Sequence, residues 1–228
     1  MTIRFTRYLF SVDRVVLSLK RALQNRAKDE ALYWTYELYY SGFVEEAWQT
    51  VTDMYDSLWA ITSPKYQRHI HNKKTNTNTP TDTGIGSVVL TLCARDPAVP
   101  NDEKFVFSLS ETALNPYRTF VCDDNHKMVK PRKYLEHVTK YCVYFDEDND
   151  QKVDAELNAA YLGGDWTWYC WSTPYWRQIF DTYGMVEDVA NNRTNFPNDD
   201  VLEAFYDKYG YEPDEQSRAF EESRGVFL

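Results

Sequence analysis

Apolar residues recur with helical spacing through the first sixty positions of the chain. Val12, Val15, Val16, Leu19, Ala22 and Leu23 fall at i, i+3, i+4, i+7, i+10 and i+11, which predicts a helix over 12–26 with one buried face. Asp13, Arg14, Lys20, Arg21 and Gln24 fill the other face, and Ser11 is placed to cap the start. A second helix is expected over 28–41, with Asp29 and Glu30 favourable at its N-terminus and Gly42 suited to the left-handed position after its end. Its apolar residues (Ala31, Leu32, Trp34, Tyr36, Leu38, Tyr39) run nearly all round the helix, so it should be buried on more than one side. A third helix over about 44–60 carries Val44, Ala47, Trp48, Val51, Met54, Tyr55, Leu58 and Trp59. Short links make these three antiparallel neighbours.

Beyond residue 60 the pattern is less regular. The stretch 72–84, NKKTNTNTPTDTG, is polar and broken by proline, and reads as a mobile loop. A short buried helix, SVVLTLCA, follows Gly84–Gly86 and stops at Asp96 and Pro97. The middle, about 98–130, has no clear period. Pro131 suits a first helical residue ahead of Tyr134, Leu135, Val138, Tyr141, Cys142 and Phe145. A short helix should reach Leu162. Others are expected after Pro174, closed by Gly184, and around Val201–Tyr209, capped by Asp199 or Asp200 and closed by Gly210. No alternating strand pair is evident. The expected fold is all-α: one multi-helix domain over residues 1–228 with an irregular middle segment.

Composition narrows the function classes. The chain has 228 residues, 43% hydrophobic and 16% aromatic, which excludes a disordered chain. No run approaches the roughly 18 apolar residues of a membrane span, and no secretory signal is evident. Cys93, Cys122, Cys142 and Cys170 are widely spaced and are expected to be reduced core thiols. The charge is uneven. Residues 146–228 hold 19 acidic and 6 basic residues, net -13, whereas the first 145 are net +3. An acidic body disfavours broad nucleic-acid binding, so any such binding should be weak. The basic run KYQRHIHNKK keeps a local phosphate contact open through Lys65, Arg68, Lys73 and Lys74.

No phosphate loop, dinucleotide fingerprint, HExxH or GxSxG motif is present. FDEDNDQKVDAEL (145–157) resembles a calcium loop at Asp146, Asp148 and Asp150, but Gln151 replaces the turn glycine and Leu157 stands where a bidentate Glu is needed. A solvated acidic loop is expected. Cys122, His126, His137 and Cys142 have unusual spacing for zinc, and His69-x-His71 is a weaker candidate. No metal or cofactor is expected. Glu37 lies among aromatics, where burial would raise its pKa, yet a hydrogen-bonded structural Glu is the commoner arrangement. Trp166, Trp168, Trp171 and Tyr175 form an aromatic cluster that reads mostly as core, with an alternative as a partner surface.

The run ALYWTYELYYSGFVEEAW (31–48), after the SLKRAL helix, resembles a pattern in uncharacterised helical proteins of nucleocytoplasmic large DNA viruses. Further similarity touches Ile85–Arg95, Gly163–Trp176 and 204–217. Residues 11–60 are more distantly similar to the C-terminal helical region of RarA/WHIP-type AAA+ ATPases, but AWQTVTDMYDSLWA departs from that pattern and no ATPase module is present. The viral resemblance implies a source and a compartment, the host cytoplasm or the virion, and no reaction. The resulting expectation is a non-enzymatic scaffold or adaptor with a protein partner. An accessory factor of viral DNA replication or transcription is the alternative, and a carboxylate- or metal-dependent enzyme is third.

Overall fold

A computed structural model describes residues 4–8, 10–75, 81–98 and 166–209. The described residues are mostly helical, as the periodicity predicts: α1 (Val12–Gln24), α2 (Lys28–Tyr40), α3 (Val44–Leu58), α4 (Tyr66–Thr75), α5 (Thr81–Ala94), α6 (Trp166–Tyr169), α7 (Pro174–Thr182) and α8 (Asp199–Tyr209). Among them no helix is long and apolar enough to cross a membrane.

The apolar stripe of α1 is buried at Val12, Val15, Leu19, Ala22 and Leu23. Ser11 stands at the N-cap position but makes no side-chain capping bond. The entry is held by backbone instead: Val12 N–H donates to Arg4 O and Thr6 N–H to Phe10 O. Helix α2 is the central one. It packs against α1, α3 and α5 and buries residues on opposite sides, including Leu32, Tyr33, Trp34, Glu37 and Leu38. The Trp34 ring is sealed from solvent, edge-on to Phe10 and Tyr33.

Two glycines let backbones approach. Gly42 ends α2 at φ +93, and a Cβ there would overlap the Pro174 ring at the start of α7. Gly86 sits inside α5, where a Cβ would run into the Tyr36 hydroxyl of α2. A side chain at 42 would be strained in φ and would push Pro174 away, whereas one at 86 would require the Tyr36 side chain to move.

The second half of the described fold is an aromatic cluster. Trp166, Trp176, Phe180, Phe205 and Tyr209 meet edge-on, tilted or stacked at centroid distances near those of favourable ring pairs. It docks on the N-terminal segment through polar bonds. The Thr173 hydroxyl donates to Phe5 O, Trp176 Nε1 to Thr6 O at 3.4 Å, and Tyr175 N–H to Ser41 O at 3.2 Å. One continuous core runs from Phe5 to Tyr209.

Three further local expectations are corrected. A hairpin joins α7 to α8: β1 (Val186–Asp188) pairs antiparallel with β2 (Arg193–Asn195) in the register Val186↔Asn195. Its strands have no apolar alternation to read. Asp188 organises it by accepting from Asn191, Arg193 and Asn195, and Asn192 turns the chain at φ +52. These bonds hold the Asp188 carboxyl below its usual range, the Asn191 side chain contributing most. Second, α8 is capped by neither Asp199 nor Asp200. Asn198 Oδ1 accepts from Val201 N–H at 2.9 Å, the N-cap geometry. Third, the stretch 72–84 is helical at both ends, since residues 72–75 finish α4 and 81–84 begin α5. Polar residues are tolerated there because Ile70 and Ile85 anchor the two helices. Residues 76–80 lie outside the described residues. So do the irregular middle from 99 on, the helices expected after Pro131 and up to Leu162, the calcium-like loop, and Cys122, His126, His137 and Cys142. Gly210 and the tail resemblance beyond it also lie outside.

Candidate anion-binding groove

The link between α3 and α4 is a tight turn over 59–65. Ser63 N–H donates to Trp59 O and Tyr66 N–H to Ser63 O. The buried Tyr55 hydroxyl, on α3, donates to Ser63 O at 2.9 Å. The end of α5 closes on the same turn: Trp59 Nε1 donates to Arg95 O at 3.2 Å, and Ala98 N–H donates to Leu58 O. Between them lies an open groove of about 420 Å³ lined by Thr62, Ser63, Pro64, Lys65, Tyr66 and Arg95.

Arg95 is the oriented charge of this groove. Its Nη1 donates to Ser63 Oγ at 2.9 Å, and its guanidinium lies 4.5 Å over the Tyr66 ring. The Tyr66 ring is buried, and the exposed imidazole of His69 stacks on it at 4.9 Å. Burial raises the Tyr66 phenol above its ordinary pKa, while Thr91 and Arg95 pull it back part of the way. Arg95 meets no carboxylate among the described residues.

The four predicted phosphate contacts separate. Lys65 is exposed on the groove lining, and Arg68 is exposed one helical turn along α4. Lys74 is tied to Glu45 at 2.8 Å. Lys73 is half-buried where α4 meets α5. His69 and His71 are both exposed on α4. Sequence reasoning missed Ser63, Tyr66 and Arg95. Arg95 lies thirty positions beyond Lys65, and a cation after a helix C-terminus is an ordinary feature that signals nothing by itself.

Of the four residues of the aromatic cluster, two are core, as the main reading of the sequence has it, and are not open to a partner. Trp166 and Trp171 are only 8% and 9% exposed. Trp166 stacks on Phe205, and Trp171 stacks on Phe180 with Arg177 4.4 Å over its ring. Large rings are hidden more fully in an apolar core than at a surface. Trp168 and Tyr175 are half-buried.

Tyr175 adjoins the second charged constellation, which is internal. Glu37 is fully buried and accepts from Arg7 Nε at 3.3 Å and Tyr8 N–H at 3.1 Å. The Arg7 guanidinium lies about 5 Å from the Tyr8 and Tyr40 rings, and Ser41 Oγ accepts from Arg7 N–H. Glu37 is thus an ion-pair partner at the joint of three segments. Burial pushes the Tyr175 phenol up to about 12, with Arg7 acting against that rise. Cys93 and Cys170 are buried free thiols. Desolvation lifts Cys93 to about 11 and Cys170 well above its ordinary value.

The chain matches no known protein family, no curated protein and no solved structure. The groove therefore stands on its own geometry.

Proposed function

We propose that the protein is a non-enzymatic adaptor that holds a protein partner at the α3–α4 turn. One observation carries this reading: Ile61, 84% exposed, directly precedes the lining residues Thr62 and Ser63 of a groove whose cations meet no carboxylate among the described residues. An exposed large apolar side chain next in sequence to a preformed polar groove can serve as a binding anchor. The turn is already braced by Tyr55, Trp59 and Arg95, so little ordering is required on association. The resemblance of residues 31–48 supports a setting in the virion or at the cytoplasmic replication site of a large DNA virus.

A second reading, an accessory factor of DNA replication or transcription, draws on Lys65, Arg68 and His69, all exposed and close together at the start of α4. The two separate in one experiment. A photocrosslinking residue at position 61 should capture a defined protein, and Ile61→Glu should abolish co-purification of that protein without changing the melting temperature. Duplex and single-stranded DNA should bind no tighter than about micromolar at physiological salt. Nanomolar, sequence-selective DNA binding reverses the assignment.

A further inference from the structure

We infer that the groove recognises a phosphate monoester, so that the partner segment presents a phosphoserine or phosphothreonine next to an apolar residue. This rests on the adaptor reading and names the chemistry of its partner.

The argument begins with pairing. The protein has 35 acidic against 25 basic residues, so carboxylates are plentiful. Arg4, Arg7, Arg26, Lys74, Arg177 and Arg193 each meet one. Among the described residues Lys65, Arg68 and Arg95 meet none, like Lys20, Lys28, Lys73 and Lys208 elsewhere, but Lys65 and Arg95 line one groove and Arg68 follows on the adjoining turn of α4. A local positive field is thereby kept within a negative protein.

Arg95 is also held still. Its contacts with Ser63 Oγ and the Tyr66 ring fix the plane of the guanidinium, while the rest of its fork donates to no acceptor among the described residues. A planar fork in a set orientation suits two oxygens of one phosphate. Ser63 Oγ accepts from Arg95, which leaves its own hydroxyl proton to donate to an anion. Thr62 is already committed to Trp59 O. Lys65 adds a point charge at the start of α4, where the helix dipole also favours an anion.

Three cations suit a dianion better than a single carboxylate. The groove volume, about 420 Å³, exceeds that of a phosphate and accommodates flanking peptide, with Ile61 as the apolar contact. A polynucleotide fits less well. The last turns of α3, which lead into the groove, expose Asp53 and Asp56. Glu45 neutralises Lys74 further along α4. The cationic track ends after one site, where a nucleic-acid backbone would carry further phosphates.

The test uses the whole chain, ¹⁵N-labelled, titrated with the capped peptide Ala-Leu-Ser-Leu-Ala, with its phosphoserine form, with its Glu analogue and with oligothymidylate. The phosphopeptide should saturate, shift the Ser63, Tyr66 and Arg95 signals, and bind about tenfold or more tighter than either unphosphorylated peptide. Its affinity should rise several-fold from pH 5 to pH 7, as the phosphate loses its second proton near about pH 6. Arg95→Gln should weaken it about tenfold. Lys65→Ala, at an exposed side chain that cannot compromise folding, should weaken it about threefold. Equal binding of the three peptides, lost in Ile61→Glu, overturns the phosphate inference and leaves the adaptor reading standing. Absence of saturable phosphopeptide binding up to about 10 mM also overturns it. Tighter binding of oligothymidylate overturns both.

Discussion

Two arginines, Arg7 and Arg95, are each held against aromatic rings, and they differ in what completes them. Arg7 is buried, lies over Tyr8 and Tyr40, and gives its charge to Glu37. Arg95 lies over Tyr66, bonds a serine hydroxyl and meets no carboxylate among the described residues. The first arrangement joins the N-terminal segment to α2 beside the docking point of α7. The second leaves a positioned cation facing water. An aromatic face orients the guanidinium in both cases, and the presence or absence of a carboxylate decides whether the charge serves the fold or a ligand.

The strongest way to break this contrast is at Glu37. Glu37→Gln leaves Arg7 buried without a counter-charge and should cost about 3–5 kcal/mol, read by denaturant unfolding. The double variant Arg7→Met, Glu37→Leu should recover much of that loss, because it removes both desolvated charges. A loss below about 1 kcal/mol for Glu37→Gln would show that Arg7 does not need its partner.

An alkaline titration is the next largest effect, with Tyr175 beside Arg7 and Cys93 on α5. Tyr175 and Cys93 have folded pKa values of about 12 and about 11, above their ordinary 10.0 and 9.0. Raised values mean that the folded state holds these protons more tightly than the unfolded chain. Stability should therefore be complete below about pH 9 and fall as pH rises through the folded values, by up to about 1.4 kcal/mol per pH unit for each group. Cys93→Ala should flatten the fall between pH 9 and 11, and Tyr175→Phe the fall between pH 10 and 12.

At Arg95 the expected stability change is smaller. Arg95→Gln should cost about 1 kcal/mol or less, since it removes a half-exposed cation–π contact and one hydrogen bond. Loss on the scale of Glu37→Gln would make Arg95 a structural residue like Arg7. The smallest effect is at Lys74. Lys74→Ala breaks a partly exposed pair with Glu45 and should change stability by about 0.5 kcal/mol or less.

Much of the helical frame was legible in the sequence. The stripe of α1 and the all-round apolarity of α2 translate directly into burial, because a 3.6-residue period leaves few ways to hide those side chains. Trp34 in the core and Gly42 at a positive φ follow from the same local logic. The hairpin was not legible, because Asp188 and its polar partners shape it and no apolar alternation marks it. The Asn198 cap lost in the reading to two neighbouring aspartates with equal capping propensity. Trp166 and Trp171 carry the same local signal whether they face a partner or Phe180 and Phe205. Of the basic run, only burial and pairing tell Lys65 and Arg68 from Lys73 and Lys74.

The sequence by itself determined that the described chain is mostly helical, where α1 to α3 lie, and that the net charge is -10. Those properties depend on neighbours a few positions apart or on composition alone. Tertiary structure decided which charges are spent. Arg7 meets Glu37 thirty residues away, and Arg95 meets Ser63 thirty-two residues away. Periodicity carries no information about such partners. They are chosen when α2 packs against the N-terminal segment and when the end of α5 closes on the α3–α4 turn.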